Sequence, residues 1–181
     1  MSDHLKAFKE WVETFPADVE ALKVVVEAES VPVPARKLAA AALSYLVTRL
    51  DLVPDHNETI GVLDDVFVLR TCVAVAGSSV DDGLSAQASV KIGRLVNDAE
   101  RIEAFLGKPL HARFRAYCQK LADTTVRGRT TAQIVSDAAI RKALYAEIDD
   151  DLKKLPAAQF TDSEDELQAK LTSFLKHKLP T

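Results

Sequence analysis

Apolar residues recur at helical spacing along almost the whole chain. Leu5, Phe8, Val12 and Phe15, with Trp11 beside them, line one face of residues 3–15. Pro16 is expected to end this helix and Asp18 to cap a second one carrying Val19, Leu22, Val25 and Val26. Residues 1–30 therefore read as an N-terminal helical hairpin. The connector Ser30-Val31-Pro32-Val33-Pro34 cannot continue a helix, because its prolines remove donors and push their predecessors to extended angles. Pro34 suits the first turn of a helix over 35–48, where Ala39, Ala40, Ala41 and Ala42 let a neighbour approach closely.

Residues 61–76 are apolar on every side, the pattern of a helix buried in the middle of a bundle, and Gly77 can close it. A polar turn follows over Ser78–Gly83. The pattern then predicts a helix over 85–106 ended by Gly107, and a helix opened by Pro109 and broken at Gly128. A long helix is expected from Thr130 or Thr131 to Leu155, closed by Pro156. The last helix starts at Ser163-Glu164-Asp165-Glu166, a capping box, and ends in Lys176, His177 and Lys178, which complement the helix dipole. These elements predict an all-α fold, a compact helical bundle of about seven or eight helices around a buried central helix at about 62–76. Its expected organisation is the hairpin (1–30), a core helical domain (35–128) and C-terminal helices packed on that core (130–181).

Composition sharpens this picture. With 48% apolar but only 6% aromatic residues among 181, the core must be built from Ala, Val and Leu, which suits close-packed helices. The formal net charge of −4 is distributed unevenly. Residues 1–90 hold seven Lys/Arg against fourteen Asp/Glu, residues 91–129 nine against four, and residues 130–181 seven against nine. The basic middle is either a docking surface or an internal partner for the acidic parts. Cys72 and Cys118 lie far apart in the chain, in apolar surroundings, and read as buried free thiols. The four histidines are scattered and read as surface positions. The N-terminus MSDHLKAFKEW is amphipathic and charged, so neither a secretory signal nor a membrane span is expected, and the location is read as cytoplasmic.

The chemistry concentrates in four carboxylates set among apolar residues: Asp51, Asp55, Asp64 and Asp65. In one reading, Asp51 and Asp55 bond backbone N–H groups around Pro54, while Asp64 and Asp65 sit in the first turn of the central helix, where the dipole favours negative charge. Arg36, Arg49 or Arg70 would neutralise what remains. In the other reading the carboxylates converge on a divalent cation, Mg²⁺, Mn²⁺ or Ca²⁺, with His56 and Glu58 at the rim. Successive residues on a helix point about 100° apart, so Asp64 and Asp65 reach one ion only with difficulty. A further candidate is Arg127-Gly128-Arg129, where Arg127 and Arg129 would grip a phosphate or nucleic-acid backbone, although acidic residues are interleaved through the 91–129 segment. No P-loop, GxGxxG, GxSxG or HExxH pattern occurs.

The set Tyr45-Leu46, Asp51-Leu52-Val53-Pro54-Asp55, Gly61 and Asp64-Asp65 resembles the signature of the YkvA-like domain of unknown function, over about residues 36–76. That family reads Y-L-x-S-P-x-D-L-I-P-D, then about five residues, then G-x-x-D-D. This chain departs from it at Thr48-Arg49, in place of S-P, and in the loop His56-Asn57-Glu58-Thr59. The resemblance implies a small helical domain and supplies no reaction. The favoured function is a non-enzymatic structural or protein-interaction module organised by the Asp-rich turn, engaging a protein partner or a second copy. The alternatives are a metal-dependent enzyme using the four Asp residues, and phosphate or nucleic-acid binding by the basic segment.

Overall fold

The structure is a computed structural model that describes residues 2–48, 52–53, 60–80, 84–155 and 160–180. Eight α-helices account for most of these: α1 (Asp3–Glu27), α2 (Val33–Tyr45), α3 (Leu63–Ala76), α4 (Ala86–Leu106), α5 (Lys108–Leu121), α6 (Thr131–Ser136), α7 (Ala138–Leu152) and α8 (Glu164–Lys178). A 3₁₀ turn over Gly77–Val80 follows α3. The all-α expectation holds, and α3 is the central rod. It packs against α1, α2, α4 and α5, and Leu63, Val66, Val68, Leu69 and Cys72 on it have no more than a trace of exposure. Gly77 closes it with φ 67°, a left-handed value that Gly adopts without a Cβ penalty.

Helix boundaries differ from expectation at several points: α5 ends at Leu121 and does not run on to Gly128, and two further differences have a clear cause. Residues 3–27 form one helix instead of a hairpin, with Pro16 inside it. The proline ring is exposed, and its cost of about 3 kcal/mol is local. Burial of Phe8, Trp11 and Phe15 on one side, and of Val19, Leu22 and Val26 on the other, holds both halves against the same core and outweighs it. Conversely, the long helix expected over 130–155 is broken at Asp137, which has φ −114° and ψ 113°. The Asp137 carboxylate accepts from the N–H groups of Ala139 and Ile140, so it caps α7 instead of continuing α6.

Between α5 and α6 lies a small antiparallel hairpin that the helical pattern did not suggest, β1 (Thr125–Val126) and β2 (Arg129–Thr130). Its two-residue turn places Arg127 at φ 48° and Gly128 at φ 77°. A turn of this primed type requires both values to be positive. Thr130 then caps α6 with Gln133 in a capping box, and Ser163 with Glu166 does the same for α8.

One apolar core draws on all eight helices, with Ile134 of α6, Leu144 and Ile148 of α7, and Leu167, Leu171 and Leu175 of α8 joining the α1–α5 side chains. At its α1–α3–α4 corner Phe8 meets Phe67 and Phe105 edge-on, at 5.1 and 4.8 Å between ring centres. Cys72 and Cys118 are buried and free, and the packing brings them together, the Cys72 thiol donating to the Cys118 carbonyl at 3.9 Å. His111, expected at the surface, is buried, 8% exposed. Among the described residues no helix is long and apolar enough to cross a membrane.

Candidate functional site

Asp64 stands in the first turn of α3 and is 1% exposed. Its Oδ2 accepts from the Tyr45 hydroxyl at 2.7 Å and from the Val53 N–H at 3.1 Å. The same hydroxyl oxygen accepts from the Leu52 N–H at 2.8 Å. The end of α2, the stretch at 52–53 and the start of α3 are thus joined at one carboxylate oxygen and one phenol. Leu52 and Val53 bury their side chains beside this knot, which takes it out of water and strengthens each bond. Burial pushes the Tyr45 hydroxyl far above its ordinary range, and the charges of Asp64 and Asp65 add to the shift. Tyr45 therefore stays protonated and remains a donor. Helix α3 presents its positive end to Asp64, which favours the carboxylate form.

Asp65 follows on the helix and is only half-buried. The other expected members of the cluster, Asp51, Asp55, His56 and Glu58, lie outside the described residues, as does Arg49. Among the described residues no three His, Cys, Asp or Glu side chains are grouped to hold a metal.

Two of the expected neutralising arginines, Arg36 and Arg70, have partners in other parts of the fold. Arg36 donates to the carbonyls of Val26 and Val135, at 2.8 and 3.4 Å, and so staples α1 and α6 to α2. Arg70, with no exposed side-chain surface, is the centre of a second cluster. It donates to Asp18 Oδ2 at 2.9 Å, to Asp98 Oδ2 at 3.2 Å and to the Val66 carbonyl at 3.4 Å, and its guanidinium lies 4.5 Å from the centre of the Trp11 ring. Arg94 donates to the other oxygen of Asp18 and, at 3.4 Å, to Thr14 Oγ1. Burial raises the Asp18 carboxyl, with the two arginines pulling against it, and lowers the Arg70 guanidinium, with Asp18 and Asp98 pulling against that. The pattern hid this cluster for a physical reason. A helix break at Pro16 made Asp18 a cap, whereas in an unbroken α1 the residue sits one turn beyond Thr14 and faces α3 and α4. The one available signal was a lone Arg70 within an apolar run.

Much of the basic middle is spent internally. Arg127 and Arg129 both pair with Glu147 of α7, at 2.9 and 2.7 Å. Hydrogen bonds and charge from Arg129, with a further hydrogen bond from Arg127, hold the Glu147 carboxyl below its ordinary range, against the opposing pull of burial. Arg113 donates to the carbonyls of Lys176, Leu179 and Pro180, fastening the end of α8, and Arg115 donates to the Ala74 carbonyl.

A helical unit in which a buried carboxylate ties a turn between two helices, carried on the D-L-x-P-D and G-x-x-D-D spacings, is the class defined by this geometry. Residues 35–70, 36 of the 181, match the family model "Protein of unknown function (DUF1232)". The match contains Tyr45, Leu52, Val53, Asp64 and Arg70. No curated protein and no solved structure matches the chain.

Proposed function

We propose that this chain is a non-enzymatic helical module, structural or protein-binding, in which Asp64 sets the angle at which α3 leaves the turn after α2. The observation that carries this reading is the set of partners on Asp64 Oδ2: a phenol and a backbone N–H, both neutral, both internal and both dry. A cation ligand or a general base must offer its oxygen to something that arrives. This oxygen is committed to holding chain segments together. A cytoplasmic setting accords with two buried free cysteines, the Cys72 thiol donating to the Cys118 carbonyl, as a reducing compartment permits. The partner on this reading is another protein or a second copy, which sedimentation velocity over a concentration series separates.

The test combines ions with substitutions at the knot. Melting of the wild-type chain is expected to be the same in EDTA and in added Mg²⁺, Mn²⁺ or Ca²⁺. Tyr45→Phe strands the Leu52 N–H and removes a donor from a buried carboxylate, and is expected to cost about 2–3 kcal/mol in urea titrations. Asp64→Asn is expected to cost about the same, and the double variant less than the sum, because both changes break one network. A dose-dependent rise in melting temperature with a cation, lost in Asp64→Asn, would overturn the proposal in favour of a metal site built on Asp51, Asp55, Asp64 and Asp65.

A further inference from the structure

We propose that the groove between the first half of α1 and the second half of α4 binds a small zwitterion of free-amino-acid size. The two helices run antiparallel there, since His4 lies against Phe105 while Asp18 meets Arg94. The groove between them holds about 300 Å³, at the lower end of small-molecule sites. It is separate from the Asp64 turn and owes nothing to the reading of that turn.

The lining is bipolar and partly built in advance. Trp11, 3% exposed, forms the floor and is backed by the Arg70 guanidinium. Asp98 Oδ2 accepts from Arg70 Nε, and its Oδ1 accepts no hydrogen bond among the described residues. Arg94, whose side chain is 36% exposed, is anchored from behind by Asp18 and Thr14. At the rim, Glu10 and Arg101 make no hydrogen bond or ion pair among the described residues, whereas Lys6 pairs with Asp3 at 3.7 Å. Carboxylates at Glu10 and Asp98 suit an ammonium, and guanidiniums at Arg94 and Arg101 suit a carboxylate. The three cationic and three acidic side chains of the lining balance. A simple anion or a simple cation would meet as much repulsion as attraction, and a ligand carrying both charges a few bonds apart answers both sets. The ion cluster beneath the floor holds Asp98 and Arg94 in place before any ligand arrives, which lowers the entropy cost of binding.

Trp11 is the single tryptophan of the chain, so in the folded protein all tryptophan emission comes from the floor of this groove. The full chain is titrated with L-leucine, L-arginine and L-glutamate, followed by Trp emission and by isothermal calorimetry. Acetate, methylammonium and N-acetyl-leucine amide serve as controls lacking one or both charges. Saturable binding of at least one amino acid is expected by either method, weakened about tenfold or more by Glu10→Gln and by Arg101→Gln. Both positions are exposed, so neither variant is expected to shift the melting temperature. The proposal is overturned if all three amino acids are silent by both methods at about 10 mM. It is equally overturned if the two variants bind as the wild type does, or if acetate, methylammonium or the amide binds as well as the amino acids.

Discussion

A guanidinium that never touches water must find every partner inside the protein, because an unpaired buried charge is among the most costly arrangements available. Arg70 meets this demand with Asp18, Asp98, the Val66 carbonyl and the Trp11 ring. Asp64 meets the same demand differently, drawing on a phenol, a backbone N–H and the start of a helix. The difference in chemistry predicts a difference in response to substitution. Arg70→Leu leaves Asp18 buried with Arg94 as its remaining cation, and is expected to cost about 3–5 kcal/mol. Adding Asp18→Leu removes the stranded carboxylate, while Arg94, with more than a third of its side chain exposed, can turn to water. The double variant is therefore expected to be more stable than Arg70→Leu alone, because a well-packed apolar pair can replace a buried ion pair at little cost. Urea titrations followed by Trp11 emission measure both, and a double variant less stable than the single one would refute this account of the cluster.

At the scale of elements, local signals and tertiary packing had unequal shares. Helices α3, α4 and α8 were legible because each carries its own period and a boundary signal of its own: Gly77 and Gly107 at the ends of α3 and α4, and the Ser163–Glu166 box at the start of α8. Pro16 misled, since a proline forbids one hydrogen bond but cannot outvote two apolar half-faces that share one core. Asp137 misled in the opposite direction, its capping power hidden inside a pattern that reads as continuous. Of the candidate site, Asp64 was legible as a first-turn carboxylate of the central helix and Tyr45 only as a letter of the motif, not as its partner, whereas the Arg70 cluster was not legible, because its partners come from α1 and α4 and no local pattern encodes their meeting. Two glycines of α4 separate local conformation from packing. Gly93 lies within the helix, and a methyl group added there would meet nothing within 4 Å, so Gly93→Ala is expected to stabilise by about 0.5–1 kcal/mol. Gly107 caps the same helix at φ 77°, also in open space, so Gly107→Ala is expected to destabilise by about 1 kcal/mol through backbone strain alone. Denaturant midpoints that move in the same direction for both would contradict this division.

Acidification acts on the molecule as a whole through groups that pull in different directions. His111 sits on α5, its Nδ1 3.3 Å from Glu103 of α4, and its Nε2 is buried without a hydrogen-bond partner among the described residues. Burial lowers its basicity below the ordinary 6.5, against the opposing pull of Glu103. Below that value the unfolded chain binds the proton more readily than the folded one, so stability falls as pH drops from above 6.5 toward the lower folded value. Glu147 behaves as a depressed carboxyl. Its contribution is present above the ordinary 4.5 and fades only as pH falls through its lower folded value, when the hairpin and α7 lose their shared anchor. Asp18 runs the other way. Its raised carboxyl takes up a proton in the folded state first, which favours the fold as pH falls toward 3.8. The first loss on acidification therefore belongs to His111. Wild-type urea midpoints are expected to drop between about pH 7.5 and 5.5, and His111→Gln is expected to flatten that drop whatever its effect on absolute stability. Glu147→Gln should leave this interval unchanged and flatten only the more acidic limb. If His111→Gln loses as much stability across the interval as the wild type, the α4–α5 contact is not the part of the fold that senses the first proton.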